Sequence, residues 1–133
     1  MIKKLGLTAL CTAMLLVTVF TVSGWAGWKW PYPVYINTVM QSANGAVGSV
    51  RNSSDPNEYI SCNLSTSGSG HMVNCYALDA GGTFVTCASS AANMVTVMSA
   101  MTSASNISFG YDNAGNCTSL QVSTASYWEP PVP

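Results

Sequence analysis

The feature that most limits how this chain can fold is a set of four cysteines, Cys62, Cys75, Cys87 and Cys117. A fifth, Cys11, lies in an apolar run from Leu5 to Val22 that follows Lys3 and Lys4. The basic start, the apolar run and the small-residue patterns Val22-Ser23-Gly24 and Gly24-Trp25-Ala26 have the layout of a secretory signal peptide. The run approaches the ~20 apolar residues that cross a bilayer. Thr8, Thr12, Thr18 and Thr21 interrupt it, however, and no basic flank follows it. Cleavage is therefore expected, with residues 1–26 as the leader and a secreted or periplasmic destination. Cys11 leaves with the leader, and an even number of cysteines in an exported chain implies two disulfides with three connectivities open. A four-thiolate zinc site is not expected, because no C-x2-C pair occurs.

What remains is about 107 residues, the size of one small domain with its own core. Beyond the leader the only cations are Lys29 and Arg51, against Asp55, Glu58, Asp79, Asp112 and Glu129. Such a chain lacks the Lys/Arg stripe that phosphate binding needs, so nucleic acid is excluded as a partner. Solubility rests on serine, threonine and asparagine, and a charge-steered ligand is not expected.

The central and C-terminal parts read as strands. "EYISCNL" puts Ile60, Cys62 and Leu64 on one side and Tyr59, Ser61 and Asn63 on the other, the alternation of a half-buried strand. Two later runs, "HMVNCYALDAGGTFVTCAS" and "NISFGYDNAGNCTSLQVST", each centre on D-x-x-G, Asp79 to Gly82 and Asp112 to Gly115. An aspartate opening a type I turn accepts N–H bonds from the residues after it, and the glycine supplies a left-handed backbone, so each run predicts a bulged hairpin. Between them, Met94, Val97, Met98 and Met101 recur at helical spacing behind Ser90 as a candidate N-cap. Nearer the N-terminus, residues 34–52 read either as two strands joined at Asn44-Gly45 or as a short helix ended by Gly45.

If Gly82 carries a one-residue bulge, Thr83 opposes Asp79 and Cys87 falls opposite Cys75. That position is a hydrogen-bonded pair, whose side chains stand farther apart than a disulfide prefers. A direct Cys75–Cys87 bridge is thus disfavoured, and of the two connectivities left open the favoured one is Cys62–Cys75, stapling adjacent strands, with Cys87–Cys117, tying the two hairpins together. The expected fold is α+β and β-rich, an antiparallel sheet of five or six strands built from hairpins, with one packed α-helix and two disulfides. Residues 27–44 form an aromatic and proline-rich arm with a first strand or helix, 45–126 the disulfide-stapled domain, and 127–133 a proline-rich tail.

Catalytic chemistry is thinly represented. His71 is the sole histidine, with no nucleophile motif beside it. Two of the five carboxylates already open turns, so a facing pair for glycoside hydrolysis is not evident. Met40, Met72, Met94, Met98 and Met101 could be read as Cu(I) thioethers, but helical spacing is equally what a core stripe demands. No catalytic residue, metal or cofactor is assigned. The binding candidates are aromatic. In "WKWPYP" the rings of Trp28, Trp30 and Tyr32 alternate with Lys29, Pro31 and Pro33, and "SYWEPPVP" brings Tyr127 and Trp128 at the other end. Chain ends of small domains often lie close together, so the two runs are expected to meet. Their rings either pack on the domain's own edge, form a docking strip for a surface protein or glycan, or rest on a membrane interface, the last disfavoured once the leader is cleaved.

The runs "RNSSDPNEYISC", "CYALDAGGTFVTC" and "ISFGYDNAGNCTSLQV" resemble a group of small exported bacterial proteins of unknown function, with an Arg-Asn-Ser segment, a tyrosine before the first cysteine and four cysteines around D-x-x-G turns. The resemblance covers about the last 80 residues. It implies an exported disulfide-bonded domain and carries no activity with it. The expected role is non-enzymatic binding of an envelope, surface-protein or polysaccharide partner through the terminal aromatics. The alternative is a small secreted inhibitor or hydrolase with a loop-borne site.

Overall fold

The structure is a computed structural model and describes residues 29–130. Residues 1–28, which include the expected leader and Trp28, and residues 131–133 lie outside the described residues. The order of elements is β1 (Tyr35–Asn37), β2 (Ser42–Ala46), α1 (Val47–Arg51), β3 (Tyr59–Ser67), β4 (Gly70–Leu78), β5 (Phe84–Ser89), α2 (Ala92–Met98), β6 (Ser105–Tyr111) and β7 (Cys117–Thr124). All strand pairs within the sheets are antiparallel. The β-rich α+β fold with hairpins, a packed helix and two disulfides is as expected. Among the described residues the strands number seven, though, and divide into a four-stranded sheet, β1-β2-β6-β7, and a three-stranded sheet, β3-β4-β5.

Each sheet turns one apolar side inward. Ile107 and Phe109 of β6, with Ala43 of β2, meet Ile60, Val73 and Ala77 of the three-stranded sheet in one buried cluster. The helix α2 lies against β7, β4 and β3, burying Met94 and Met98 in the same cluster. The methionine stripe is therefore core. Its start differs from expectation: Ala91 is the N-cap and makes no side-chain cap bond, while the Ser89 hydroxyl accepts the Ala91 N–H.

Both D-x-x-G turns are built alike. The Thr83 N–H donates to Asp79 Oδ1 at 2.8 Å, and Gly82 sits at φ +82. At the second turn Asp112 Oδ1 accepts from the N–H groups of Ala114 and Asn116, Oδ2 accepts from the Asn116 side-chain amide at 2.9 Å, and Gly115 has φ +80. The Asn44-Gly45 pair is not a turn. It lies within β2, and the β1–β2 connection runs through residues 38–41, where Gln41 takes φ 49. The β-branched and aromatic residues of 34–37 do form a strand, while the short helix starts just after the glycine instead of ending at it.

The disulfides are Cys62–Cys75 and Cys87–Cys117. Cys62, Cys75 and Cys87 face one another in a row across β3, β4 and β5. The Asp79 N–H donates to the Thr83 carbonyl, which fixes the alternation of the β4–β5 ladder: at Cys75 the main-chain groups point towards Cys87. The opposite flank of Cys75 is then the close-approach side, and Cys62 stands there with a Cα–Cα distance of 4.0 Å. Cys87 is left to reach Cys117 of β7, joining the two sheets.

The segment Arg51 to Glu58 is a hydrogen-bonded corner in which Glu58 is the buried centre. Its carboxylate accepts from the Val34 N–H and from the Ser53 hydroxyl, and Asp55 Oδ1 takes the N–H groups of Asn57 and Glu58. This corner holds the end of the N-terminal arm against the entry to β3.

Separate replacement of each disulfide by an alanine pair should lower unfolding free energy by about 3 kcal/mol for Cys62–Cys75 and about 3.6 kcal/mol for Cys87–Cys117, in the order of their loop lengths. Urea unfolding of the purified variants checks both the size and the order. The hydrogen bonds from Asn116, side chain first and then backbone, hold the Asp112 carboxyl below the usual carboxylate range. A depressed folded value means that the stabilisation is present above the ordinary carboxylate value and drains away as pH falls through the lowered one. NMR titration of the side-chain carboxyl carbon should give a low midpoint for Asp112, moving up in Asn116→Ala.

Candidate functional site

The two aromatic runs meet, as their placement at the chain ends predicts. Beyond the start of β1 the arm continues alongside β2, and the Tyr32 carbonyl accepts the Ala46 N–H at 3.0 Å. The tail leaves β7 at the other edge of the sheet and comes to the arm. There Trp30 and Trp128 form an isolated parallel bridge, and the Trp30 N–H donates to the Tyr127 carbonyl at 3.0 Å. Trp128 packs edge-on against Tyr32, with ring centroids 5.4 Å apart, and against Tyr127 at 4.6 Å.

The tail is seated on α1. A Cβ at Gly48 would fall 1.6 Å from the Glu129 carbonyl oxygen, so only a glycine admits the tail backbone there. One turn later the Asn52 side-chain amide donates to the Pro130 carbonyl at 3.0 Å. Nothing in the local pattern of "GAVGSVRN" distinguishes Gly48 from the other glycines, because the partner that demands it lies 81 positions along the chain.

Arm and tail thus make a clasp with two kinds of ring. Tyr32 and Trp128 are half-buried in the seam, whereas Trp30 and Tyr127 remain 45% and 41% exposed. Neighbouring residues of the two runs thus differ in exposure, one ring of each packed in the seam and one turned to solvent. Trp28 lies outside the described residues.

Four buried polar atoms around this end of the sheet have no hydrogen-bond partner: Asn44 Oδ1, Ser49 Oγ, Asn106 Nδ2 and Trp128 Nε1. Asn44 and Ser49 flank the β2–α1 junction, and Asn106 is paired directly opposite Ala46. Three are donors or donor–acceptors and one is an amide acceptor, a set suited to hydroxyl groups. These residues were not evident beforehand, since Asn44 read as a turn residue and Asn106 as one polar position in a strand.

Other candidates are placed apart from the clasp. His71 is exposed on β4, its Nδ1 2.9 Å from the Thr66 hydroxyl across the β3–β4 hairpin. Asp79 and Asp112 hold turns and Glu58 holds the buried corner. The sulfur atoms of Cys75, Cys87 and Cys117 lie within 4.8 Å of one another, but each is taken up in a disulfide. No helix among the described residues is long and apolar enough to cross a membrane.

Gly48→Ala should force the tail off α1 and cost about 1–3 kcal/mol. Tryptophan emission should move to longer wavelength as Trp128 enters water, with far-UV circular dichroism preserved; an unchanged spectrum would show that the seam tolerates the methyl group.

The chain matches no protein-family model, no curated protein and no solved structure.

Proposed function

We propose that this protein is an exported, non-enzymatic binding domain that holds a component of the cell surface or envelope on the aromatic clasp where its two ends meet. One observation carries the reading: Trp30 and Tyr127 keep nearly half of their surface exposed although the backbone between them is fixed by a direct hydrogen bond. A ring held rigidly in water gives a partner a large apolar contact at small entropic cost. Random packing defects would not leave the two exposed rings on adjacent, mutually bonded segments.

Export is supported by the basic and apolar start of the chain, and the two disulfides are compatible with an oxidising compartment outside the cytosol. The absence of a catalytic role is supported by the employment of Glu58, Asp79 and Asp112 in backbone hydrogen bonds and by the Thr66 partner of His71.

The test is a sedimentation assay with cell envelope and with insoluble polysaccharide, comparing wild type and Trp30→Ala/Tyr127→Ala. The wild-type protein is expected to sediment with one of the two, and the double variant to remain in the supernatant with its thermal unfolding unchanged. Equal retention of the two proteins would refute the role of the clasp.

A further inference from the structure

The register of the four-stranded sheet sorts its side chains into two unlike faces. Ile36, Ala43, Phe109 and Leu120 lie in one row across β1, β2, β6 and β7, and Gly45, Ile107 and Val122 in the next. These belong to, or pack against, the core. The intervening rows point the other way. They are Tyr35, Asn44, Ser108 and Gln121; then Asn37, Ser42, Gly110 and Ser119; and, nearest the clasp, Ala46, Asn106 and Ser123.

No charged residue stands in any of the three outward rows. The described charges occupy the arm, α1, the Glu58 corner, the two D-x-x-G turns and the tail. Solvent-facing strands are ordinarily kept soluble and unpaired by lysines and other charges; here the outward rows carry amides, hydroxyls and one tyrosine, with Ala46 and Gly110 at buried positions. This face has one large side chain with an apolar body, Tyr35, 60% exposed. What it presents is a grid of neutral donors and acceptors, about 4.8 Å apart across the strands and about 6.7 Å along them.

Two further observations tie this grid to the clasp. The row nearest the clasp contains Asn106, only 9% exposed, whose Nδ2 has no partner, and the adjoining row contains Asn44, whose Oδ1 has none. The clasp side of Ala46 is occupied by Tyr32, which packs on Trp128, itself carrying an unpartnered Nε1. The neutral rows therefore run up to the clasp, and the buried orphan atoms of Asn44, Asn106 and Trp128 lie where the two meet.

We infer that the outward face of the four-stranded sheet is the continuation of the clasp into an extended binding surface for an uncharged, linear polysaccharide. The rings of Trp30 and Tyr127 cover the apolar faces of sugar rings, while Asn37, Asn44, Ser108, Ser119 and Gln121 take the equatorial hydroxyls. Neutral hydroxyls satisfy amide and hydroxyl groups without the desolvation cost of burying a charge. The inference rests on the clasp being a binding site and adds the ligand class and the second half of the surface.

The experiment uses the chain without residues 1–26, with both disulfides formed. Chitohexaose and cellohexaose serve as neutral probes and polygalacturonate as the anionic one, with binding followed by 15N-labelled NMR and calorimetry. Shifts are expected in the side-chain amides of Asn37, Asn44 and Gln121 with a neutral probe and not with the anionic one. Gln121→Ala and Ser119→Ala, both at exposed positions, should each weaken binding about fivefold. Unchanged amide spectra elsewhere establish that the variants remain folded. If Trp30→Ala abolishes binding while the sheet variants bind as wild type and the face amides do not shift, the clasp stands and this inference falls. If neither neutral probe binds, or polygalacturonate binds in preference to both, the inference is likewise overturned, while the sedimentation assay with envelope still decides the clasp.

Discussion

The row of Cys62, Cys75 and Cys87 across three strands, continued by Cys117 from the other sheet, is the constraint on which the remaining architecture depends. The largest fully buried side chains are Phe109, Ile107 and Val73, a slender core for a chain of this length. A domain of about 100 residues closes only a limited fraction of its surface away from water. The four half-cystines supply apolar volume at the centre and also restrict the unfolded chain. The Cys87–Cys117 bond has a third effect: it holds β5 beside β7, where Ala88 and Asn116 bridge and the Ala88 N–H reaches the Gly115 carbonyl at 2.9 Å. Sheet-to-sheet placement is thus set covalently where packing alone is weak.

With the two sheets fixed, the far end of the molecule is free to specialise. The Glu58 corner secures Val34, so the arm leaves the core in a defined direction. Gly48 opens a passage for the tail, and Asn52 closes on it from the next turn. The aromatic residues gain their arrangement from these backbone contacts more than from contact between the rings. That accounts for how a rigid seam coexists with rings that are still exposed.

Local chemistry in the chain foretold a good part of this. Asp79 and Asp112 determine their own turns through bonds to residues within four positions, so the hairpins and the Cys75–Cys87 register could be counted from the sequence. That register disfavoured a Cys75–Cys87 bridge, but the choice between the two connectivities left depends on the β3–β4 pairing, which sets Cys62 on the close-approach flank of Cys75. The Asn44-Gly45 dipeptide misled, since burial of Ala43 and Ala46 against two neighbouring strands outweighs its turn preference. Division into two sheets was hidden too: alternation marks which face is buried but not which other face buries it. At the candidate site, the aromatic runs and their meeting were legible from composition and the proximity of chain ends. The neutrality of the outer sheet face was not, because it emerges only when four strands distant in sequence are laid side by side in register.

The bridge between Trp30 and Trp128 is parallel. Tension applied between residue 29 and residue 130 would drag these two segments past each other lengthwise, loading the Trp30–Tyr127 and Asn52–Pro130 bonds together instead of peeling them apart in turn. Shear of that kind resists force better than unzipping of the same bonds. A molecule tethered by both ends would therefore keep its seam shut under a pull that opens an ordinary hairpin.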